Sequence, residues 1–383
     1  MLSVKFLLRV LTAPWVIIKI IIQYYTTGTA LQAEPREFGN SLWKNIDIAV
    51  LSHIAKGITR KDPWIVTHPM NPYYKSYARS AGGQGMPSFG KQITPKDKRL
   101  TWVVKPEGAK HALLFFHGGG YCVPMTKSQF VGIMALWYAV EPEKRQNLAI
   151  ANLDYSLTCY DHRYPTQIFE AVSAYRELTK QGYEVSLIGD SAGANLALAL
   201  SRFAAYPEEA RAQFSRYKQF DWDFSPLPAP KHLLLVAPWI EPYTKPEKYP
   251  GVDYEGDLGS PEPDMGIDYL GKASPNDVAP FVDFFNTSYQ KHWSKVPAFN
   301  GEGSVIFLYG EREIFRVAQE DFIKRNGKSN FYAHMQPGAV HDSMFYIEPS
   351  EFRSSRGQRT MVTGKHRSKF SFKLSAEFLE EFL

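Results

Sequence analysis

The stretch Val185-Ser186-Leu187-Ile188-Gly189-Asp190-Ser191-Ala192-Gly193-Ala194 decides the fold. It begins as a β-like run, residues 185–188, and it leads into an alanine-rich helical run, residues 194–205. Between them, Gly-x-Ser-x-Gly fits a sharp strand-to-helix turn that exposes a serine Oγ. Small neighbours avoid a clash at such a turn, and the N-terminus of the helix favours a developing anion. The pattern predicts that Ser191 is a nucleophile, although these five residues alone also recur in ordinary turns.

A second glycine motif stands upstream of this turn. The apolar run 112–116 ends in His117-Gly118-Gly119-Gly120-Tyr121. Three glycines after a strand let the backbone approach a ligand closely. Followed by the serine turn, the motif is typical of an oxyanion hole, where backbone N–H groups bind a developing negative charge. We expect the donors to be Ala192 and two of the three glycines, with His117 orienting the backbone rather than transferring protons.

A general base is expected last in the chain order, just after a late strand. Of the ten histidines, His341 has this position, in a loop that follows the strand-like run 330–335. Pro337 and Gly338 mark a turn ahead of it. His334 is the alternative, but it lies inside the strand pattern. With His341 as the base, activity should fall below about pH 6 to 7 as the imidazole becomes protonated.

The carboxylate that orients this imidazole is predicted after the strand 305–309, where two acidic residues compete. The strand runs into Gly310-Glu311-Arg312-Glu313-Ile314-Phe315. We predict Glu313, because the apolar pair that follows it suits a side chain turned inward. Glu311 remains open as the alternative. Asp342 and Asp321 are more remote alternatives, since neither directly follows the end of a strand at the position in the chain where the acid is expected.

These residues resemble the hormone-sensitive-lipase branch of the α/β-hydrolases, from about residue 100 to the C-terminus. Between the glycine motifs, Leu153-Asp154-Tyr155-Ser156-Leu157-Thr158 and Arg163-Tyr164-Pro165-Thr166-Gln167-Ile168 are most similar to the fungal steryl acetyl hydrolases. Cys159 and Asp161 stand where bacterial relatives carry a proline-acid pair, and residues 352–372 have no counterpart.

The resemblance implies a membrane-associated serine esterase that deacetylates sterol acetates and similar lipophilic esters through a Ser-His-Glu triad. Neither a cofactor nor a metal is expected, because this triad needs none and no metal-ligand spacing occurs in the sequence. The alternatives are a general carboxylesterase or lipase, which shares every catalytic residue, and a ligand-binding protein that reuses the fold without catalysis.

Apolar runs separated by helical stretches predict a mostly parallel sheet covered by helices on both faces, and the resemblance implies that this is the α/β-hydrolase fold. Predicted core strands are 100–105, 112–116, 148–155, 184–188, 232–236 and 305–309. We assign residues 31–383 to the catalytic domain, with cap elements near 33–80 and 238–297. Aromatic residues of the second cap region could line an apolar pocket or form the cap's own core: Trp239, Tyr243, Tyr269, Phe281, Phe284, Phe285 and Trp293.

Residues 1–30 predict a membrane anchor or an interfacial helix. One helical stripe carries the polar side chains Lys5, Arg9, Thr12, Lys19 and Gln23, while nearly all other positions are apolar or small. A helix lying in the membrane interface therefore competes with a single span that Lys19 would interrupt. A signal anchor in the endoplasmic reticulum is favoured over a cleaved signal peptide. A spanning helix would place the catalytic domain in the lumen, where Asn286 is a candidate glycosylation site.

Composition agrees with a large globular enzyme. The 383 residues are 44% hydrophobic and 14% aromatic, enough for a sizeable core. A net charge of +5 is too small and too scattered to indicate nucleic-acid binding.

A late basic cluster predicts a solvated or disordered loop, with contact to anionic lipid headgroups as the alternative: Arg353, Arg356, Arg359, Lys365, Arg367, Lys369 and Lys373. Cys122 and Cys159 each follow a central strand, so they can pair or remain free thiols.

Overall fold

The sheet is the framework of the molecule. The computed structural model describes residues 2–32, 41–62, 70–95, 97–285, 293–328 and 330–383. Within these residues, eight strands form one sheet in the order β1-β2-β4-β3-β5-β6-β7-β8. The strands are β1 Gln92–Thr94, β2 Asp97–Val104, β3 His111–Phe116, β4 Leu148–Leu153, β5 Glu184–Asp190, β6 His232–Val236, β7 Ser304–Gly310 and β8 Phe331–Gln336.

Most of this sheet is parallel, as the sequence predicts. Strand β2 pairs antiparallel with β1 and β4, and all pairs from β4 through β3 to β8 are parallel. Because all parallel strands run in one direction, the turns that follow β3, β5 and β7 meet at the same edge of the sheet. The predicted glycine loop, serine turn and acidic residue are therefore brought together there.

Helices cover both faces of the sheet. In chain order they are α1 Val4–Tyr25, α2 Leu42–Ala55, α3 Met70–Tyr77, α4 Ala81–Gln84, α5 Lys127–Ala139, α6 Thr166–Lys180, α7 Ala192–Ala205, α8 Pro207–Phe214, α9 Asp264–Leu270, α10 Pro275–Val282, α11 Pro297–Asn300, α12 Arg316–Asn326, α13 Ser343–Tyr346, α14 Ser355–Met361 and α15 Phe370–Glu380. Leu114 and Phe116 of β3 pack in the core that α6 and α7 cover. Leu113 and Phe115 face the opposite core, beneath α5 and α15. The alternation follows from the two-residue repeat of a strand.

The late basic segment is folded, so the expectation of a solvated or disordered loop is wrong. It contains α14 and the start of α15, and the side chains of Phe352, Met361 and Phe372 are fully buried. Several of its cations form ion pairs, Arg353 with Asp47, Arg367 with Glu380 and Lys369 with Glu351. The apolar residues between the charges anchor the segment to the core, which the charge pattern alone concealed.

The N-terminal helix α1 packs against the rest of the chain. Ser3 caps the helix, and its hydroxyl and backbone N–H both donate to the Asp62 carboxylate at 2.7 Å. Sixteen residues further along, Lys19 pairs with Glu255 at 2.5 Å. The outward face is apolar, with Trp15 71% exposed. Among the described residues, α1 is the helix whose length and composition would let it cross a membrane. It is compatible with a membrane anchor or a signal sequence.

Candidate active site

Ser191 occupies the predicted strand-to-helix turn. Strand β5 ends at Asp190 and α7 begins at Ala192, so the serine lies between them. Its backbone φ is 51°, a value that residues other than glycine rarely adopt. A Cβ at Gly193 would lie 1.9 Å from the carbonyl oxygen of Phe116. Glycine is therefore required where the new helix crosses the end of β3, and this close crossing holds the turn in place.

Ser191, His341 and Glu313 form one chain of polar contacts. The Nε2 atom of His341 lies 2.9 Å from the Oγ atom of Ser191. On the other side of the ring, Nδ1 lies 3.1 Å from Oε2 of Glu313. All three side chains are buried, with at most 6% of any of them exposed. A buried contact chain of this kind can move a proton from the hydroxyl to the imidazole and stabilise the cation that results.

Glu313 is held in place by two donors. The backbone N–H of Gly310 donates to its Oε1 at 2.6 Å, and the side-chain amide of Gln319 donates to its Oε2 at 2.7 Å. The alternative acid Glu311 instead accepts from the backbone N–H of Gly338 at 2.8 Å. Asp321, the more remote alternative, pairs with Arg325. His334, the alternative base, lies on β8. The structure therefore brings Glu313, and none of these alternatives, to Nδ1 of His341.

Asp257 is a site residue that the sequence analysis missed. This carboxylate is buried, and its two oxygens accept the backbone N–H groups of His341 at 2.8 Å and Ile314 at 3.0 Å. It thus ties the histidine loop to the loop that carries Glu313. Asp257 lies in the proline- and tyrosine-rich region 238–297, 84 residues before His341. No local pattern marks it, because its role depends on a long-range contact with backbone groups.

The glycine loop lies beside Ser191, and the backbone N–H of one of its three glycines already donates a hydrogen bond to another group. The N–H of Gly118 donates to Oδ1 of Asp190 at 2.9 Å, while Gln129 donates to Oδ2 of the same carboxylate at 2.6 Å. Gly119 and Gly120 line the pocket beside Ser191. Gly119 has φ of 107°, which favours glycine. Of the three glycines, two of which were predicted to be donors, Gly119 and Gly120 are thus available for an oxyanion, together with Ala192 at the start of α7.

His117 is placed to support this loop. Its ring stacks on Tyr155 with centroids 4.3 Å apart, and its Nδ1 lies 2.6 Å from the carbonyl oxygen of Gly118. The Tyr155 hydroxyl donates to the carbonyl of His117 at 2.5 Å. Burial lowers the pKa of His117 to about 4, so the ring is neutral at physiological pH. These contacts place His117 against the backbone of the glycine loop, and its role in orienting that backbone stays a prediction.

A second carboxyl group faces the reactive side of His341. Oδ2 of Asp342 lies 3.3 Å from Nε2, the same atom that faces Ser191. Burial alone would lower the pKa of His341, but Asp342, Glu313 and Asp257 together outweigh it and raise this pKa above 6.5. Asp342 is thus on the wrong side of the ring to orient it, and it instead influences where the proton resides.

An apolar pocket opens above Ser191. Its walls come from α2 and the residues after it, from the glycine loop and from the region 238–297. They include Leu51, Ile54, Ile58, Val123, Trp239, Leu258, Met265, Phe315 and Tyr346. Both predicted cap regions thus contribute to the pocket. Within the described residues, no group of three or more His, Cys, Asp or Glu side chains has the arrangement of a metal site.

Most of the candidate aromatic residues belong to the core rather than to the pocket. Trp239 lines the pocket, which is one of the two roles that the sequence left open for these aromatic residues. Tyr269, Phe281, Phe284 and Trp293 are buried in the large core on the face of the sheet that α6 and α7 cover. The aromatic count therefore reflects a large core between the cap region and the sheet, and apolar aliphatic residues of α2 form much of the pocket wall.

Comparison with known proteins decides the family. The steryl acetyl hydrolase family matches residues 96–349, more than half of the chain. The chain belongs to this family. As a steryl acetyl hydrolase family member it is an α/β-hydrolase, and its chemistry is carboxylic ester hydrolysis. The matched residues include both glycine motifs, Glu313 and His341.

A fission yeast member of the family is similar over most of its length. This Schizosaccharomyces pombe protein, provisionally named steryl acetyl hydrolase mug81, is 25% identical over 375 residues, which cover 91% of each chain. Among solved structures, an esterase from Pseudomonas putida aligns with a TM-score of 0.52 and 16% identity, covering 74% of this chain and 78% of the esterase. An esterase of the bacterial hormone-sensitive lipase family aligns with a TM-score of 0.50 and 18% identity, covering 95% and 98%. At these identities the two structures support the fold.

Proposed function

We propose that the protein is a serine esterase that removes acetyl groups from sterol acetates, with Ser191, His341 and Glu313 as its triad. The observation that carries this proposal is the buried contact chain from the Ser191 hydroxyl through both ring nitrogens of His341 to Glu313, at the base of an apolar pocket. The provisional name of the fission yeast relative supports the same substrate.

In the proposed mechanism, His341 accepts the Ser191 proton as Oγ attacks the ester carbonyl. Glu313 fixes the tautomer of the ring and stabilises the imidazolium. Backbone N–H groups of Gly119, Gly120 and Ala192 bind the oxyanion of the tetrahedral intermediate. His341 then protonates the departing alcohol, and a water molecule, activated by the same histidine, releases acetate and restores the free serine.

The pocket supports a large apolar alcohol group. Aliphatic residues such as Leu51, Ile54 and Ile58 form one wall, and Trp239 and Phe315 lie on another. Removing apolar surface from water contributes roughly 25 cal/mol per Å², so a sterol skeleton gains far more from such walls than a small polar alcohol does. We therefore assign the sterol to the apolar pocket and the acetyl group to the vicinity of Ser191.

Competition for a covalent inhibitor tests this proposal. A fluorophosphonate should label the full-length protein in detergent at Ser191, located by peptide mass spectrometry. A sterol acetate should slow the labelling in proportion to its concentration, and the free sterol or a water-soluble acetate should slow it less. Labelling at another residue would contradict the proposed nucleophile. Labelling of Ser191 that a sterol acetate does not slow would keep the esterase and move the substrate to other esters.

The pH dependence tests the role of Asp342. Neighbouring carboxyl groups raise the pKa of His341. The imidazole is neutral, and can accept the Ser191 proton, only above this raised pKa. Activity is therefore lost as the pH falls through the pKa of His341. The acid limb of kcat/KM should therefore lie above the pH 6 to 7 that an ordinary histidine predicts. Asp342→Asn keeps the shape and removes the charge, so the limb should move to lower pH by about one unit or more.

Two outcomes are informative for this pH prediction. Asp321→Asn, a remote carboxylate paired with Arg325, should leave the acid limb where it is in the wild type. An acid limb that Asp342→Asn does not move would show that Asp342 has no influence on His341.

We further propose that the enzyme is attached to the endoplasmic reticulum membrane through α1, with the catalytic domain in the lumen. The apolar outward face of α1 supports attachment, and the contacts of Ser3 and Lys19 with the catalytic domain favour a helix that lies in the membrane interface over one that spans the bilayer. Asn286 lies outside the described residues. Its glycosylation, seen as an endoglycosidase-sensitive mass that Asn286→Gln abolishes, would support the lumenal side. A protease-accessible catalytic domain on intact microsomes would contradict it.

A further inference from the structure

The two cysteines of the chain meet in the fold. Cys122 follows the glycine loop and Cys159 lies in a short helical turn after β4. Both are free thiols in the structure, and each thiol shifts the pKa of the other. The backbone N–H of Thr158 donates to the carbonyl oxygen of Tyr121 at 2.9 Å, so the two segments are bonded at the residues that precede each cysteine.

This contact is improbable for two cysteines placed at random. A buried residue touches about 6 to 12 others, so a second cysteine placed anywhere among 383 positions would contact Cys122 in roughly 2 to 3% of cases. The chain has two cysteines in all, and the segments that carry them are hydrogen-bonded to each other. The pairing therefore points to chemistry between the two thiols rather than to two independent core positions.

We propose that Cys122 and Cys159 form a disulfide in an oxidising thiol pool, and that this bond fixes the glycine loop beside Ser191. The backbone N–H groups of Cys122 and Val123 both donate to the carbonyl oxygen of Gly119, at 3.0 and 2.8 Å. Cys122 thus closes the turn that presents Gly119 and Gly120 to the pocket. A covalent link to Cys159 would connect this turn to the segment after β4.

The oxidant is a small disulfide such as glutathione disulfide, and exposure sets the order of the steps. Cys159 is partly exposed, whereas Cys122 is buried. The Cys159 thiolate attacks one sulfur of the oxidant, which forms a mixed disulfide and releases one glutathione thiolate. The Cys122 thiolate then attacks the Cys159 sulfur and displaces the second glutathione. Two protein thiols are oxidised and one glutathione disulfide is reduced to two thiols. Because the residues that precede the two cysteines are hydrogen-bonded to each other, a local adjustment can bring the two sulfur atoms to bonding distance.

Thiol counting tests the proposal without relying on enzyme activity. The full-length protein in detergent is equilibrated with glutathione disulfide or with dithiothreitol, quenched in acid, denatured and treated with a maleimide of known mass. We expect no reactive thiol after the first treatment and two after the second, with a monomer on a non-reducing gel. A peptide linking the two cysteines should appear in the mass spectrum of the oxidised digest. Two reactive thiols after prolonged exposure to glutathione disulfide would overturn the proposal, as would a disulfide-linked dimer.

Thermal unfolding supplies an independent readout. A cross-link restricts the unfolded chain, so the oxidised protein should unfold at a temperature higher by about 5 °C or more than the reduced protein. The double variant Cys122→Ser with Cys159→Ser should show the same midpoint with and without dithiothreitol. If the double variant folds poorly, Cys159→Ser alone gives the control, because it leaves one buried thiol without a partner. A wild-type midpoint that dithiothreitol leaves unchanged after verified oxidation would contradict the proposed effect on the loop.

Discussion

Ser191→Ala is expected to lower kcat/KM for ester hydrolysis by at least about 10⁴-fold, because it removes the atom that forms the acyl-enzyme. The remaining groups can still bind substrate and polarise its carbonyl, so the loss falls mainly on kcat. Labelling by a fluorophosphonate should disappear in the same variant. Initial rates on an aryl acetate, measured with protein whose folding has been checked by thermal unfolding, give the comparison.

Ser201→Ala is a matched control for this variant. Ser201 is also buried on α7, and its hydroxyl donates to the carbonyl oxygen of Ala197 at 2.8 Å within the same helix. Its replacement should leave kcat/KM within about twofold of the wild type, since Ser201 does not belong to the described residues that line the pocket. Equal losses in the two variants would mean that packing of α7, and not the nucleophile, explains the effect.

Glu313→Gln is expected to lower kcat by about 10² to 10⁴-fold. The amide keeps the size of the carboxylate, but it no longer stabilises the imidazolium and it can present an N–H to Nδ1, which favours the wrong tautomer of His341. Substrate binding should change little, because Glu313 lies behind the histidine and does not line the pocket. Separate kcat and KM values for an aryl acetate give the measurement.

Glu311→Gln is the matched control, since Glu311 is the acid that the sequence leaves as the alternative. Its carboxylate accepts from the backbone N–H of Gly338, and a glutamine oxygen can accept the same hydrogen bond. We therefore expect a change of less than about fivefold in kcat. A large loss in Glu311→Gln with little loss in Glu313→Gln would exchange the roles of the two acids.

The sheet and the contact chain could be anticipated because their signals are local and ordered along the chain. Apolar runs marked the central strands, and glycine positions marked the two turns where backbone must approach backbone. In parallel strands these turns meet at one edge, so chain order alone predicted that Ser191, Glu313 and His341 would lie close together. The preference for Glu313 rested on the apolar pair that follows it, and the structure shows that pair turned inward, with Ile314 and Phe315 buried.

Such local patterns do not predict contacts between residues that are far apart in the sequence. Asp257 and Gln319 support His341 and Glu313 from distant or unremarkable sequence positions. The prediction that the late basic segment is a solvated or disordered loop was wrong for a related reason. Its charges were visible in the sequence, but the acids that neutralise Arg353 and Arg367 were not identifiable. Asp342 was considered only as an orienting acid, whereas its position beside Nε2 depends on a left-handed backbone conformation, with φ of 57°.

Acetate release from a sterol acetate is the most direct test of the proposed activity. The full-length protein in detergent is compared with Ser191→Ala, with the same sterol esterified to a long-chain fatty acid as a second substrate. We predict acetate release that is lost in the variant and is much faster than cleavage of the long-chain ester. Absence of acetate release from the sterol ester, alongside rapid Ser191-dependent cleavage of simple aryl or long-chain esters, would contradict the assignment as a sterol deacetylase.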